Sequence, residues 1–136
     1  MKNVWTEKYL LNIDEIDRQH MKFFELCNEK QNPDHHENHK QLVVFIDELE
    51  DYLKFHFSFE EGLLLKAGYA DYEKHVKQHT FFIQKVEELK QELNYNNTLL
   101  FGKIILFMKK WFLSHIMESD RKFKRITLDY LKNNPE

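Results

Sequence analysis

The sequence predicts an all-α fold: an antiparallel up-down-up-down four-helix bundle with an N-terminal arm and a short C-terminal helix. Only 3 Gly and 2 Pro occur in the chain, which favours long helices and few turns. Apolar residues recur at three- and four-residue steps over four segments. The length of 136 residues suits one domain. We expect residues 1–136 to form an arm (1–12), a bundle (13–118) and a C-terminal helix or tail (119–136).

The elements follow from breaks in this periodicity. The first twelve residues lack a helical period and should form an extended arm that packs on the bundle through Val4, Trp5, Tyr9 and Leu10. Gly68 is well placed to end the second helix. Pro33 and its polar neighbours favour a turn. The expected helices run from about 14 to a turn at 31–40, over 39–66, over 69–93 to a turn at 94–97, over 98–117, and over 120–131.

Composition excludes several classes of protein. A net charge of −3 offers no basic face for nucleic acid. No apolar run approaches 18 residues and the N-terminus has no signal-peptide core, so we expect a cytoplasmic protein without a membrane anchor. The single cysteine, Cys27, fits a reducing compartment and should be buried and inert. The charged runs at 47–51 and 87–92 should be solvated helix faces.

Two pairs of possible metal ligands share the spacing of one helical turn. His56 and Glu60 are four residues apart, and so are His75 and His79. Residues four apart lie on the same face of an α-helix, so each pair can direct two ligand atoms to one point. Two helices that meet at a short turn near Gly68 would bring the pairs together. This arrangement is typical of a metal site.

Further histidines lie on the expected inner faces of the other helices. A single histidine on an apolar face is usually a hydrogen-bonded core residue. Five buried imidazoles and a glutamate would leave many polar atoms without partners, at roughly 1–3 kcal/mol each, and a shared metal would remove that cost. We therefore predict a metal centre. Its candidate ligands are His20, His56, Glu60, His75, His79, His115 and Asp120.

The ligand set indicates which metal is held. Seven protein ligands are too many for one tetrahedral zinc, whereas two ions bridged by carboxylates favour non-haem iron. Ferritin-like di-iron bundles use Glu-x-x-His pairs and a carboxylate-rich shell, but here the spacing is four and histidine dominates. Mostly neutral ligands leave residual positive charge on the ions, which disfavours high oxidation states. We hypothesise that the site holds O2 rather than consuming it.

Asp120 does not fit the spacing rule. It follows His115 by five residues, which on a continuous α-helix rotates it about 140° away from that face. Two interpretations remain at this point. The helix loosens near 117–119 and brings the carboxylate inward, or Asp120 begins a solvated charged tail with Arg121 and Lys122.

Taken together, four motifs resemble the hemerythrin family, and specifically its single-domain bacterial members. They are DRQH at 17–20, HFSFEE at 56–61, HVKQH at 75–79 and WFLSHIMESD at 111–120, and the N-terminal VWTEKY and IDEIDRQH also match. The resemblance covers nearly the whole chain, and all seven ligand positions are present. It implies that residues 1–136 are one hemerythrin-like domain and that Asp120 is a ligand.

The resemblance also implies roles for these residues. His75, His79 and His115 would bind one iron, and His20 and His56 the other. Glu60, Asp120 and a solvent-derived oxo or hydroxo group would bridge the two ions. O2 would bind at the open position of the iron with two histidines. The expected lining of that O2 pocket is Phe23, Phe24, Phe57, Trp111, Phe112 and Ile116.

One position departs from the family. Bacterial members commonly have leucine after the tryptophan of the last motif, and this chain has Phe112. If Phe112 lies over the open position, it would narrow the pocket and alter O2 affinity or autoxidation.

The resemblance favours a non-enzymatic O2-binding protein for carriage, storage or delivery, with an oxygen-consuming enzyme as a candidate partner. Two alternatives stay open. One is an O2 or redox sensor, although members of that kind usually carry a fused signalling domain. The other is a di-iron protein that reacts with peroxide or nitric oxide.

Overall fold

A computed structural model of the chain describes residues 5–29, 39–93 and 98–134, and these form a helical bundle. The two expected turns fall largely outside the described residues. Helix α1 packs on α2 and α4, and α3 packs on α2 and α4, so the four long helices close into the expected antiparallel bundle. No helix in the described ranges is both long and apolar enough to cross a membrane. The helices are α1 (Asp14–Glu29), α2 (His39–Ala67), α3 (Tyr72–Gln91), α4 (Thr98–His115) and α5 (Arg121–Asn133).

The N-terminal arm is held onto the bundle by apolar and polar contacts. It contains a short 3-10 turn, Glu7–Tyr9, and its end is fully buried at Leu11. The Leu11 amide donates a hydrogen bond of 2.8 Å to the Asp17 carboxylate in α1. Asn12 turns the chain into α1 with a φ of 61°, a conformation that asparagine tolerates better than most residues. Of the expected contacts, Val4 lies outside the described residues.

Helix α2 ends where Gly68 was expected to end it. Gly68 has a φ of 72°, and its amide donates to the Leu65 carbonyl at 3.2 Å. The Tyr69 amide donates to the Leu64 carbonyl at 3.1 Å, which completes a Schellman motif. Helix α3 begins at Tyr72, slightly later than its apolar pattern suggested, because this motif occupies the intervening residues. The short connection fixes how α2 and α3 face each other.

One expectation about surface charge was wrong. The runs at 47–51 and 87–92 are not simply solvated, because Glu50 is buried and Lys90 crosses to it. The Lys90 ammonium lies 2.9 Å from Glu50, 2.7 Å from Asp47 and 3.0 Å from Glu87. Three carboxylates around one ammonium tie α3 to α2 at the end of the bundle away from the histidines. Helical periodicity shows only which way a residue points, so this cross-helix pairing was not visible in the sequence.

Helices α4 and α5 are joined by a π turn over Ile116–Asp120 rather than by a loop. A π turn closes i→i+5 hydrogen bonds, so it accommodates one more residue per turn than an α-helix. Ile116 and Asp120 are both fully buried within it. Helix α5 then packs back against α2, and its Phe123 and Thr127 are fully buried. The chain therefore stays helical through the region where Asp120 was ambiguous.

Candidate metal centre

Every helix of the bundle contributes to one buried polar cluster. Helix α1 supplies one histidine, α2 a histidine and a glutamate, α3 two histidines, and α4 with its π turn a histidine and an aspartate. The carboxylates are fully buried, and the most exposed of the histidines is only 6% accessible. The structure thus brings together all seven candidate ligands: His20, His56, Glu60, His75, His79, His115 and Asp120.

The Glu60 carboxylate faces two sets of histidines with its two oxygens. Its Oε1 lies 2.7 Å from His75 Nε2 and 3.1 Å from His79 Nε2. Its Oε2 lies 3.2 Å from His56 Nε2 and 3.7 Å from His20 Nε2. One carboxylate therefore separates the α3 histidines from those of α1 and α2, with one oxygen for each set.

The Asp120 carboxylate divides its oxygens in the same way. Its Oδ1 is 3.0 Å from His75 Nε2 and 3.2 Å from His115 Nε2, whereas its Oδ2 is 3.3 Å from His20 Nε2. The π turn makes this possible, because residues five apart lie above one another when hydrogen bonds run from i to i+5. The side chain is inside the cluster, so the alternative of a solvated tail beginning at Asp120 is excluded.

The ligand atoms form two groups with metal-site geometry. Glu60, His75, His79, His115 and Asp120 form the first, which we call the three-histidine group, and each offers one ligand atom within 4.8 Å of the others. The same criterion joins His20, His56 and Glu60, which we call the two-histidine group. Glu60 belongs to both groups, so the two positions are adjacent.

Several of the candidate ligand atoms lack a suitable hydrogen-bond partner within the cluster. Two imidazole nitrogens, His79 Nε2 and His115 Nε2, face each other at 3.1 Å, where at most one can donate a proton. In the two-histidine group, His20 Nε2, His56 Nε2 and Glu60 Oε2 are buried without hydrogen-bond partners. So many buried polar atoms without partners would be costly in a folded core, and positive ions at the two positions would satisfy them together. The residues fit a metal pair of the imidazole-and-carboxylate type.

The ionisation of the carboxylates shows how strongly this pocket favours positive charge. Burial alone would raise the pKa of Glu60, but the four surrounding histidines hold it well below its usual range. Burial and the neighbouring Glu60 charge would raise the pKa of Asp120. The opposing effect of His115 and His20 is larger, so the pKa lies well below its usual range. Both carboxylates are therefore charged at neutral pH.

The histidines respond in opposite ways when no ion is bound. Burial tends to lower the pKa of His20 and of His75, but the two carboxylates raise each of them to about 9. For His56 burial prevails and the pKa is lowered. Protons on His20 and His75 thus supply positive charge that a metal would otherwise provide.

Two polar residues that the sequence analysis missed orient histidines from outside the cluster. His56 Nδ1 donates to the Gln19 side-chain oxygen at 2.8 Å, and His79 Nδ1 donates to the Glu61 carboxylate at 2.7 Å. Each bond leaves the Nε2 lone pair directed inward for a metal. Both residues adjoin a predicted ligand within the motifs DRQH and HFSFEE. The rule that metal-binding imidazoles need a second partner could have singled them out.

Part of the expected aromatic lining surrounds the two-histidine group. The Phe112 ring makes edge contacts with His20 at 5.1 Å and His56 at 5.7 Å between centroids. Phe23 packs on Phe112 at 4.7 Å. All of these side chains are essentially inaccessible to solvent, and so is Ile116 in the π turn. This side of the cluster is closed and apolar.

The remaining members of the expected lining lie elsewhere. Phe57 stacks on His79 at 3.8 Å, and Trp111 stacks on His115 at 4.6 Å with the rings 11° from parallel, so both pack chiefly against the three-histidine group. Phe24 packs on Trp5 and under the Lys109 ammonium, which lies 5.3 Å from its ring. The resemblance suggested that these side chains line the O2 pocket, but it did not determine which part of the core each one contacts.

Comparison with known proteins agrees with this geometry. The sequence model of the hemerythrin HHE cation binding domain matches residues 11–126. A bacteriohemerythrin of Clostridium acetobutylicum is 34% identical over 125 residues, covering 88% of this chain and 97% of the relative. One from Pseudomonas aeruginosa is 30% identical over 117 residues, covering 86% of this chain and 76% of the relative.

Solved structures show the same fold. The crystal structure of a wild-type hemerythrin superposes with a TM-score of 0.79 at 23% identity and covers 93% of this chain and 98% of that one. An imidazole-rich cluster able to hold metal, within a domain of this kind, supports iron binding. On the match to the domain and to these relatives, the chain belongs to the hemerythrin family.

Proposed function

We propose that this protein binds O2 reversibly at a two-iron centre and serves in oxygen carriage, storage or delivery. The observation that carries the proposal is the division of each carboxylate between the two groups of histidines. Glu60 presents one oxygen to each group, and so does Asp120. Carboxylates placed in this way would bridge two ions, with three histidines on one and two on the other.

The unequal histidine count supports the location of O2. The three-histidine group would fill more of the coordination positions of its ion. The open position would then be on the ion held by His20 and His56. When bound, the iron pair would supply that open position and two electrons. Phe23 and Phe112 close this side against water, and an apolar surrounding suits a small neutral ligand such as O2.

The chain's own residues would also favour reversibility. Five imidazoles are neutral as ligands, so the ions keep positive charge and resist the higher oxidation states that attack substrates. The bonds from Gln19 to His56 and from Glu61 to His79 hold the imidazoles in fixed orientations. Rigid neutral ligands need little rearrangement when the ligand binds or leaves. A cytoplasmic location and delivery to an oxygen-consuming enzyme belong to the same proposal.

Exposure of the anaerobic ferrous protein to air, followed by degassing, tests the proposal. A charge-transfer absorption band that appears in air and disappears on degassing, over several cycles, is expected. Irreversible conversion to a ferric form would favour sensing or redox chemistry instead. Metal analysis should return about two irons per chain as the seven-ligand set requires. Stoichiometric zinc in place of iron would overturn the proposal.

A further inference from the structure

We propose that a surface cavity beside His115 binds a planar, anionic electron donor of the reduced-flavin class, such as flavin mononucleotide, and that Trp111 conducts its electrons to the metal centre. The electron-transfer step depends on the proposed function, since it needs a redox-active iron pair. The binding step does not. The cavity, its charge and the ring stack beneath it carry the inference.

The cavity lies between α3 and α4, on the outer side of the three-histidine group. Its volume is about 400 Å³, within the range of small-molecule sites. His115 and Trp111 form part of its wall, so a ligand there would lie beside an aromatic ring that touches a candidate metal ligand. Ser114 and Ser119 add hydroxyl groups to the lining. The cavity thus combines an aromatic surface with a few polar groups.

Its charge and its exposed apolar surface indicate the kind of ligand. Lys74 and Lys77 line the cavity against a single lining carboxylate, Glu118, although the chain as a whole is negative. Lysine binds phosphate as a point charge. Phe81 at the rim is 61% exposed and gives the cavity an apolar edge on which a flat ring could pack. A flat aromatic ring carrying a phosphate matches this combination.

A continuous stack of rings leads inward from the cavity. The Trp111 indole lies between two partners, with Phe82 at 4.1 Å and 15° and His115 at 4.6 Å and 11°. His115 Nε2 in turn lies 3.2 Å from Asp120 Oδ1 and 3.1 Å from His79 Nε2. From the cavity wall to the cluster, the path consists of two rings in van der Waals contact. The described ring contacts of the two-histidine group run through Phe112 and Phe23 instead, and they do not reach this cavity.

The proposed reaction returns an oxidised centre to the ferrous state. The reduced flavin anion would give up two electrons, one at a time, and release the proton on its N5 to the solvent, and it would leave as oxidised flavin. Each of two ferric ions gains one electron and becomes ferrous. No bond is formed to the metal, so the donor can remain outside the closed apolar side where O2 is proposed to bind.

The binding step is tested with oxidised flavin mononucleotide and the protein as purified, by quenching of flavin fluorescence and by calorimetry. Saturable one-site binding is expected. Reversal of two charges in Lys74→Glu/Lys77→Glu should weaken it at least about ten-fold. The matched control Lys103→Glu/Lys110→Glu makes the same charge change at exposed positions of α4 outside the cavity lining, and it should bind like the parent. Absence of saturable binding, or equal weakening in both double variants, would overturn the proposal.

The electron path is tested by mixing ferric iron-loaded protein with reduced flavin without air. The reduction rate should saturate with flavin concentration, and Trp111→Leu should slow it severalfold while the flavin dissociation constant stays within twofold of that of Trp111→Phe. Reduction of both variants by dithionite checks that their metal centres are equally reducible. If Trp111→Leu is reduced by flavin as fast as Trp111→Phe, the assigned path is wrong. A failure of reversible O2 binding would leave the fluorescence result intact, so the two proposals fail separately.

Discussion

The two halves of the metal centre are built from the same kinds of side chain but lie in different surroundings. The two-histidine group faces Phe23 and Phe112, and both of its histidines are fully buried. The three-histidine group lies under surface cavities whose walls include His79 and His115, and its outer partner is the charged Glu61.

On the proposed function, the difference would let one cluster separate two tasks. A saturated ion needs no room for a ligand, so its side of the bundle can lie near water, charge and electron donors. An ion with an open position needs an apolar, closed space, because water would compete for that position and assist oxidation. The bundle provides both surroundings within one core by placing aromatic rings against α1 and polar cavities beside α3.

The largest effect should come from removing the residue shared by both halves. In Glu60→Gln the size is kept, but the negative charge shared by both positions is lost, and one of the two bridging oxygens becomes an NH2 group that cannot bind a cation. Iron binding should weaken by more than the roughly 10–100-fold that loss of an outer partner costs. Iron analysis after dialysis against a chelator should give well under one iron per chain instead of two. Retention of two irons would contradict the bridging role.

Opening the closed half is expected to lower the stability of the protein and to admit water to the metal centre. Phe112→Ala removes a fully buried ring beside His20 and His56, and it should lower the free energy of unfolding by about 3–5 kcal/mol. Water admitted by the cavity should also speed oxidation of the ferrous protein in air. Denaturant titration and the rate of ferric formation measure the two effects.

Phe81→Ala is the matched control for this substitution on the exposed half. Because that ring is largely exposed, its loss should change the free energy of unfolding by no more than about 0.5 kcal/mol. If the two substitutions lower the free energy of unfolding equally, the difference in packing between the two halves does not contribute to stability.

A smaller effect, confined to one of the two irons, is expected from Glu61→Gln. His79 would keep a hydrogen-bond acceptor but lose the anionic one, which makes it a weaker ligand. One of the two irons should then be released to a ferrous chelator roughly 10–100-fold faster, while the other is little changed. Glu88→Gln, at an exposed site of α3, makes the same chemical change and should leave both release rates alone. Equal acceleration for both irons in Glu61→Gln would break the assignment of Glu61 to one half.

The smallest expected effect is the change in stability of the iron-free protein with pH. His20 and His75 have pKa values of about 9 when folded, against 6.5 ordinarily, so their protonated forms stabilise the fold. That contribution is complete below pH 6.5 and is lost as the pH rises through 9. The free energy of unfolding should therefore fall between pH 6.5 and 9 without iron and stay nearly level with iron bound. A rise in this window for the iron-free protein would contradict the raised pKa values.

Much of the fold followed from the sequence for simple reasons. Scarce Gly and Pro and strong apolar periodicity left few alternatives to a helical bundle, and Gly68 ended α2 as expected. The i, i+4 spacing of His56 with Glu60 and of His75 with His79 brought these pairs to one place. Each of these inferences depends on local geometry that every α-helix shares.

The features that the sequence did not predict depend on departures from regular helix geometry or on contacts between helices. Spacing alone left the position of Asp120 ambiguous, because it assumes 3.6 residues per turn and cannot foresee a π turn. Gln19 and Glu61 were missed because their partners are on other helices. Likewise, the resemblance named Trp111 and Phe24 together as pocket lining, without distinguishing the ring that stacks on His115 from the one beneath Lys109.

The π turn has a consequence for chain length. In effect it is a one-residue insertion absorbed within a single turn, so α5 continues in phase with α4 and Phe123 and Thr127 still face inward. Deleting the exposed Met117 would restore a regular α-helix in which the aspartate follows His115 by four residues, the spacing of the other two ligand pairs. Adding a residue there would exceed what one turn can absorb and would rotate the carboxylate away. The centre should thus tolerate a shorter chain at this point but not a longer one.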